Sequence, residues 1–337
     1  MLQFYYSYLL VKRIEVFKKC VKTYQNGEFF CYNENRGDLM KYLSVGQATY
    51  DVTLLVDEYP KKNEKKKTDI RICSGGGCAA NAAYLLASWG QDSYFAGTIG
   101  NDKEGSIIED ELKSKKVNLK YLSKQDIMTP ISYIITTKDA SRTLVTYKKD
   151  NTVLKNNHKI ENDFDCLILD GYEKEFADKA LFENKNAVSI LDAGRVNYDI
   201  TDLCHKVDYI ITSKSFAEKY TNIELKTDKD LKKAYDVLSN RFNTDIIITL
   251  ESKGCYTKIG KDYMKVPTID VEAVDTTAAG DIFHAAFAYF ITHGYNMLTS
   301  LRLSNIAASL STRHFGSKNS VVALSEVLDI YYEEYNN

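Results

Sequence analysis

From about residue 160 the chain repeats one unit: a short apolar run, then a stretch whose apolar positions recur three and four apart. The runs are Cys166–Leu169, Ala187–Leu191, Tyr209–Thr212 and Asp245–Leu250. None alternates polar with apolar, so each needs cover on both faces. A parallel sheet with helices on both sides, joined by right-handed crossovers, meets that condition. Two long periodic stretches, about 279–293 and 297–313, close the series as helices. The fold class is therefore α/β, a three-layer α/β/α sandwich.

The first half follows a different rhythm. Strands are expected at 42–46, 51–56, 69–73 and 94–96, with helices at 79–89 and 103–114. The runs 131–136 and 143–147 flank Asp139-Ala140-Ser141 and read as a hairpin. These early hairpins do not fit the sandwich. They predict a small β-sheet lid from about 50–74 and 120–148, within a domain spanning 42–332. Residues 1–41, rich in Tyr, Phe, Lys and Asn, read as an appended extension of unknown role; a helix over about 4–23 is the local expectation.

Charge and cysteine usage narrow the function classes. A formal net charge of -2 gives no basic face for nucleic acid. No apolar run reaches the ~18 residues of a membrane helix. Seven cysteines, an odd number with no C-x-x-C, read as free thiols in a reducing compartment. The N-terminal positive charges follow the apolar stretch, the reverse of a secretory signal. The cytoplasm is the expected location.

Two segments carry chemistry. Asp275-Thr-Thr-Ala-Ala-Gly-Asp281 runs directly into an apolar helix. Small side chains at Ala278, Ala279 and Gly280 let a phosphate approach the backbone, where first-turn N–H groups and the helix dipole favour negative charge. The dipole also favours the ionised form of Asp281, making it available to accept a proton. The plainer alternative is an ordinary helix capped by Thr276 or Thr277. The second segment, Ser74-Gly-Gly-Gly-Cys-Ala-Ala-Asn81, opens the first long helix. Its glycines permit a tight turn, and Asn81 offers donor and acceptor to hydroxyl groups. Gly75-x-Gly77-x-x-Ala80 also matches a dinucleotide fingerprint, but the next strand, Tyr94-Phe-Ala-Gly97, lacks the acid that would hold a ribose. A nicotinamide oxidoreductase is disfavoured on that ground.

Together the two segments resemble the signatures of the PfkB/ribokinase carbohydrate kinase family: Gly76, Gly77 and Asn81 in the first, and the Asp-Thr-Thr-x-Ala-Gly-Asp element in the second. The resemblance covers about 41–330 and implies a ribokinase-like fold with a lid. It implies ATP and Mg²⁺, with Asp281 as catalytic base and the backbone of Ala278, Ala279 and Gly280 stabilising charge. The sugar side would comprise Asp51, Gly76, Gly77, Asn81, Asp170 and Arg142, and the nucleotide side Ser213, Thr249, Gly254, Gly316 and Asn305. A monovalent cation, K⁺, would lie by Asp275 and Ser320, and a homodimer would form through the lid. Thr249-Leu-Glu-Ser-Lys-Gly254 carries Glu251 where the family has glycine. The family's Asn-x-x-Glu is missing: Ser213 and Phe216 stand in its place, or Ser215 and Glu218 on a shifted reading. Uncharged Cys78, Ala79 and Ala80 beside the first signature imply an unphosphorylated sugar. A nucleoside kinase of the same family and a non-catalytic sugar sensor on the same scaffold are the alternatives.

Overall fold

The computed structural model describes residues 21–25, 28–32, 39–148, 154–155 and 158–335. An antiparallel pair comes first, β1 (Val21–Gln25) and β2 (Glu28–Tyr32). The helix expected over about 4–23 lies outside the described residues, except that its last three positions begin β1.

The strands β3 (Lys41–Val45), β4 (Thr49–Val56) and β5 (Arg71–Gly76) lead to helix α1 (Cys78–Ser88). Then follow β6 (Asp92–Gly100), α2 (Lys103–Ser114), β7 (Asn118–Gln125), β8 (Ile131–Thr137) and β9 (Arg142–Tyr147). The repeating half contributes β10 (Cys166–Leu169), α3 (Lys174–Glu183), β11 (Val188–Ala193), α4 (Tyr198–Leu203), β12 (Tyr209–Ser213), α5 (Lys214–Thr221) and α6 (Asp228–Phe242). It ends with β13 (Asp245–Thr249), the hairpin β14 (Cys255–Ile259) and β15 (Asp262–Val266), and helices α7 (Ala279–Thr292), α8 (Met297–Ser311) and α9 (Leu324–Tyr335).

Nine strands form the large sheet, in the order β15-β14-β13-β12-β11-β10-β3-β6-β7. From β13 to β7 every pairing is parallel; the β14–β15 hairpin closes one edge antiparallel. The absence of polar alternation now has its explanation. Leu167 and Leu169 of β10 enter the apolar core on one side of the sheet, while Cys166 and Ile168 enter the core on the other. Helices α3 to α6 supply the first core, and α1 with α7, α8 and α9 supply the second.

A second sheet of four strands, β5-β4-β8-β9, stands beside the body as the lid. It draws on 49–76 and 131–147; the segment 118–125 does not join it but extends the large sheet as β7. The chain's single tryptophan, Trp89, ends α1, donates from Nε1 to the Val322 carbonyl at 2.9 Å and packs edge-on to Tyr289. All five cysteines whose side chains are described are free. No helix among the described residues is long and apolar enough to cross a membrane.

Candidate active site

Helix α7 begins without a side-chain cap. Its first flanking residue is Ala278, not Thr276 or Thr277, and Ala278 sits in the left-handed region at φ 64°. An L-residue pays roughly 1–2 kcal/mol for that conformation, and such strain persists only where the surroundings enforce it. Asp275 does the enforcing. It is buried, its Oδ1 accepts the Thr277 N–H at 2.9 Å, and its Oδ2 accepts the Gly316 N–H at 2.9 Å. The helix start is therefore clamped from below, and the Ala279 N–H makes a long contact to the Thr276 carbonyl at 3.3 Å. The space where a Gly280 side chain would stand is open to 4 Å, and the buried Thr277 Oγ1 has no partner. A phosphate has room here and finds oriented donors.

Asp281 lies in this first turn. Its Oδ2 accepts Nδ2 of Asn81 at 2.7 Å. Against the expectation from the helix dipole, its pKa is raised: burial and the Asp192 carboxylate outweigh the hydrogen bonds from Asn81 and Cys78. Asp192 ends β11, and its carboxylate, the Cys78 sulfur and the Asp281 carboxylate all lie within 4.8 Å of one another.

Two more carboxylates come from strands of the two different sheets. Asp51 comes from β4 of the lid and accepts from Thr49 Oγ1 at 2.7 Å. Asp170 follows β10 of the body and accepts the N–H groups of Gln47 at 2.7 Å and Tyr172 at 3.0 Å. Burial is the largest cause that lifts each to about 6; the hydrogen bonds oppose it. Glycines make room for both acids. A Cβ on Gly76 would fall 1.9 Å from Asp51 Oδ2, and one on Gly46 would fall 1.9 Å from Asp170 Oδ1. Gly77, at φ 93°, lies so close to the Gln47 backbone that any side chain would collide.

The loop 315–320 joins the two motifs. Besides the Gly316 tie to Asp275, Ser317 Oγ donates to the Gly75 carbonyl at 2.6 Å, and Lys318 Nζ donates to Asn81 Oδ1 at 2.7 Å. The buried Ser320 donates from Oγ to the Ser317 carbonyl at 2.9 Å.

Other expected residues sit differently. Arg142 lies on β9, exposed at every position. The Asn305 amide donates to the carbonyls of Val266 at 2.9 Å and Pro267 at 3.2 Å, so it braces the wall and its donors are occupied. Ser213 Oγ caps α5 by accepting the Phe216 N–H at 3.1 Å, and Phe216 is core. On the shifted reading, Ser215 is exposed and Glu218 accepts the Leu225 N–H at 2.9 Å. Neither version of the missing Asn-x-x-Glu reaches the carboxylate cluster by these contacts. Thr249 donates to the Thr212 carbonyl at 3.2 Å, and Gly254 turns at φ 81°. Glu251, where the family pattern has glycine, also has a positive φ, 55°. Three residues at the site were not singled out in the sequence: Asp192, Lys318 and His284, whose Nε2 is 3.5 Å from Asp192. Asp192 comes from a strand with no motif, whereas Lys318 lies in the 315–320 loop and His284 in the helix that the Asp275–Asp281 segment opens.

The sequence pattern of the pfkB family carbohydrate kinases matches residues 40–324. A ribokinase of Lactococcus lactis is 28% identical over 303 residues, covering 86% of this chain and 96% of that protein. A ribokinase of Bacillus subtilis is 25% identical over 300 residues, covering 85% and 97%. Among solved structures, an Arabidopsis thaliana ribokinase complexed with ribose and ATP superposes with a TM-score of 0.74 at 22% identity, covering 87% of this chain and 99% of that one.

Proposed function

The chain belongs to the pfkB family of carbohydrate kinases, phosphotransferases with an alcohol group as acceptor, and from that premise we propose that it moves the γ-phosphoryl group of ATP to a hydroxyl of an unphosphorylated sugar. The observation that carries the substrate class is the charge at the seam. Asp51, Asp170, Asp192 and Asp281 influence one another there, and among the described residues two cations answer the four acids: Lys318, hydrogen-bonded through Asn81, and Arg195 beside Asp170. Carboxylates accept hydroxyl hydrogens and repel a second phosphate, so this end suits a neutral polyol.

In this reading Asp51, Asn81, Asp170 and the backbone at Gly76 and Gly77 grip the sugar. Asp281 takes the proton of the attacking hydroxyl. Its raised pKa makes it a stronger base than an exposed aspartate, while the hydrogen bonds from Asn81 and Cys78 favour its ionised form. The N–H groups at Ala278 to Gly280 face the transferring phosphoryl oxygens. Phosphoryl transfer depends chiefly on such positioning and charge stabilisation. The walls at Thr249, Gly254 and Gly316 flank the nucleotide. A Mg²⁺ carried by the nucleotide phosphates would be held by Asp192, a carboxylate within reach of Asp281, and would neutralise phosphate charge. K⁺ suits the Asp275–Ser320 corner, since Asp275 is buried and forms no ion pair among the described residues. Tyr133, Leu144, Val145 and Tyr147 are exposed on the lid and would form the homodimer face. The free thiols suit the cytoplasm.

A coupled ADP-release assay tests this over ribose, fructose, 2-keto-3-deoxygluconate, fructose 1-phosphate, fructose 6-phosphate and a nucleoside. Turnover of an unphosphorylated sugar is expected, falling when K⁺ is replaced by tetramethylammonium at constant ionic strength. Clear preference for a phosphosugar or the nucleoside would overturn the substrate class. Unchanged turnover without K⁺ would remove the cation site.

A further inference from the structure

Lys318 is 237 residues from Asn81 in the chain, yet its Nζ lies 2.7 Å from Asn81 Oδ1, while Asn81 Nδ2 lies 2.7 Å from Asp281 Oδ2. The three side chains form one line: ammonium, amide, carboxylate. A carboxamide carries an acceptor on one side and donors on the other, and nothing in its shape distinguishes them. Facing Asp281 with Oδ1 would set two acceptors against each other. A lysine ammonium has donors only, so it can pair only with Oδ1, and that choice leaves Nδ2 for the carboxylate. We infer that Lys318 is a positioning residue for phosphoryl transfer, holding the Asn81 amide in the orientation that keeps the Asp281 carboxylate aimed. The inference rests on Asp281 acting as the base.

The loop is built to deliver this group. Gly316 and Ser317 are tied to Asp275 and to the Gly75 carbonyl, one on each motif, so Lys318 reaches inward from a segment anchored on both. Its stem crosses the ring of Tyr84 on α1, with Nζ 4.8 Å from the centroid. The charged groups facing it are Asp51 from the lid, Glu111 from α2 and Asp281 from α7. Desolvation is the largest influence and holds the ammonium down to about 8, against those three acids, which favour its charged form. The charge is therefore present below about pH 8 and lost as pH rises through that value.

Steady-state kinetics at one fixed pH test the inference in wild type, Lys318→Met, Lys318→Gln, Asp281→Asn and the Lys318→Met, Asp281→Asn double variant, with melting measured alongside. Lys318→Met should lose about 10²-fold in kcat, the cost of a misaligned reacting group. Lys318→Gln retains a donor to Asn81 and should fall between wild type and Lys318→Met. Because Lys318 acts through Asn81 on Asp281, adding Lys318→Met to Asp281→Asn should cost less than about threefold more, so the two losses are coupled and not additive. A variant that is only partly folded lowers melting and costs the same in either background. Additive losses, or a kcat within about threefold of wild type in Lys318→Met, would overturn the inference. A wild type inactive on every sugar would overturn the kinase reading itself, and this inference with it.

Discussion

The two sheets of this protein obey opposite rules. In the body, β10 is buried at every position and its alternate side chains feed two separate cores. In the lid, β9 is exposed at every position. A strand covered on both sides is fixed by packing on both sides, whereas a sheet with one wet face opens with less loss of buried area. The site draws on both. Asp170, Asp192 and Asp281 ride on the body, while Asp51 and Gly76 come from lid strands. On the proposed reading the body would supply the chemistry and the lid the grip, so that exclusion of water would need only the cheaper part to move.

Substitutions on either side of the seam put that division at risk. The largest effect is expected from Asp281→Asn on the body. The near-isosteric amide should leave melting and ATP affinity close to wild type and lower sugar-dependent ADP formation by about 10²–10⁴-fold, the usual contribution of a general base. Retention of more than about a tenth of the activity would take the role of base from Asp281. Next comes packing. Phe290→Ala, at a fully buried position against Trp89, should cost about 3–5 kcal/mol in denaturant unfolding. Val145→Thr, 69% exposed on the lid, should cost within about 0.5 kcal/mol. Equal costs would mean that the lid is as tightly packed as the body.

A lid residue at the site itself sharpens the comparison. Asp51→Asn should raise KM for the sugar about tenfold, in line with one hydrogen bond to a charged group, and leave kcat less affected. The same variant isolates a pH effect. Because the native pKa of Asp51 is raised to about 6, the folded state holds this proton more tightly than the unfolded chain does, and ionising it costs stability. Wild-type stability relative to Asp51→Asn should therefore fall between about pH 4 and 6, by on the order of 1–3 kcal/mol, and level off above. A flat difference across that range would show that Asp51 is not held neutral by burial.

The reach of the sequence ended where contacts became long-range. The helix start at Asp275–Asp281 and the turn at Gly75–Asn81 are contiguous, and their small residues disclose their purpose locally. The sandwich was equally legible, because a strand such as Cys166–Leu169 with no polar face has few other homes. Asp192 was invisible, and of the 315–320 loop only Gly316 and Ser320 were singled out, not Lys318; an acid near a strand end and a lysine in a polar loop matter only by what lies across the fold from them. Asn305 misled for the same reason, its amide being turned to the backbone at Val266 and Pro267. The strands β7, β14 and β15 lack the unbroken apolar character of the central ones, as edge elements do. The dipole argument for Asp281 failed because it weighed one helix and neither the burial of the carboxylate nor the Asp192 carboxylate from β11.

The packing of Trp89 gives the enzyme a built-in optical reporter. It is the chain's single indole, fixed at the end of the helix that begins with the glycine turn and hydrogen-bonded to Val322, two residues beyond the loop that carries Lys318. Its emission should therefore sample both arms of the site at once, and its burial in an apolar shell should shift that emission to the blue. Any reordering of that loop on ligand binding should then register as a change in intensity or wavelength in unlabelled protein, against a background of 25 tyrosines that selective excitation leaves dark.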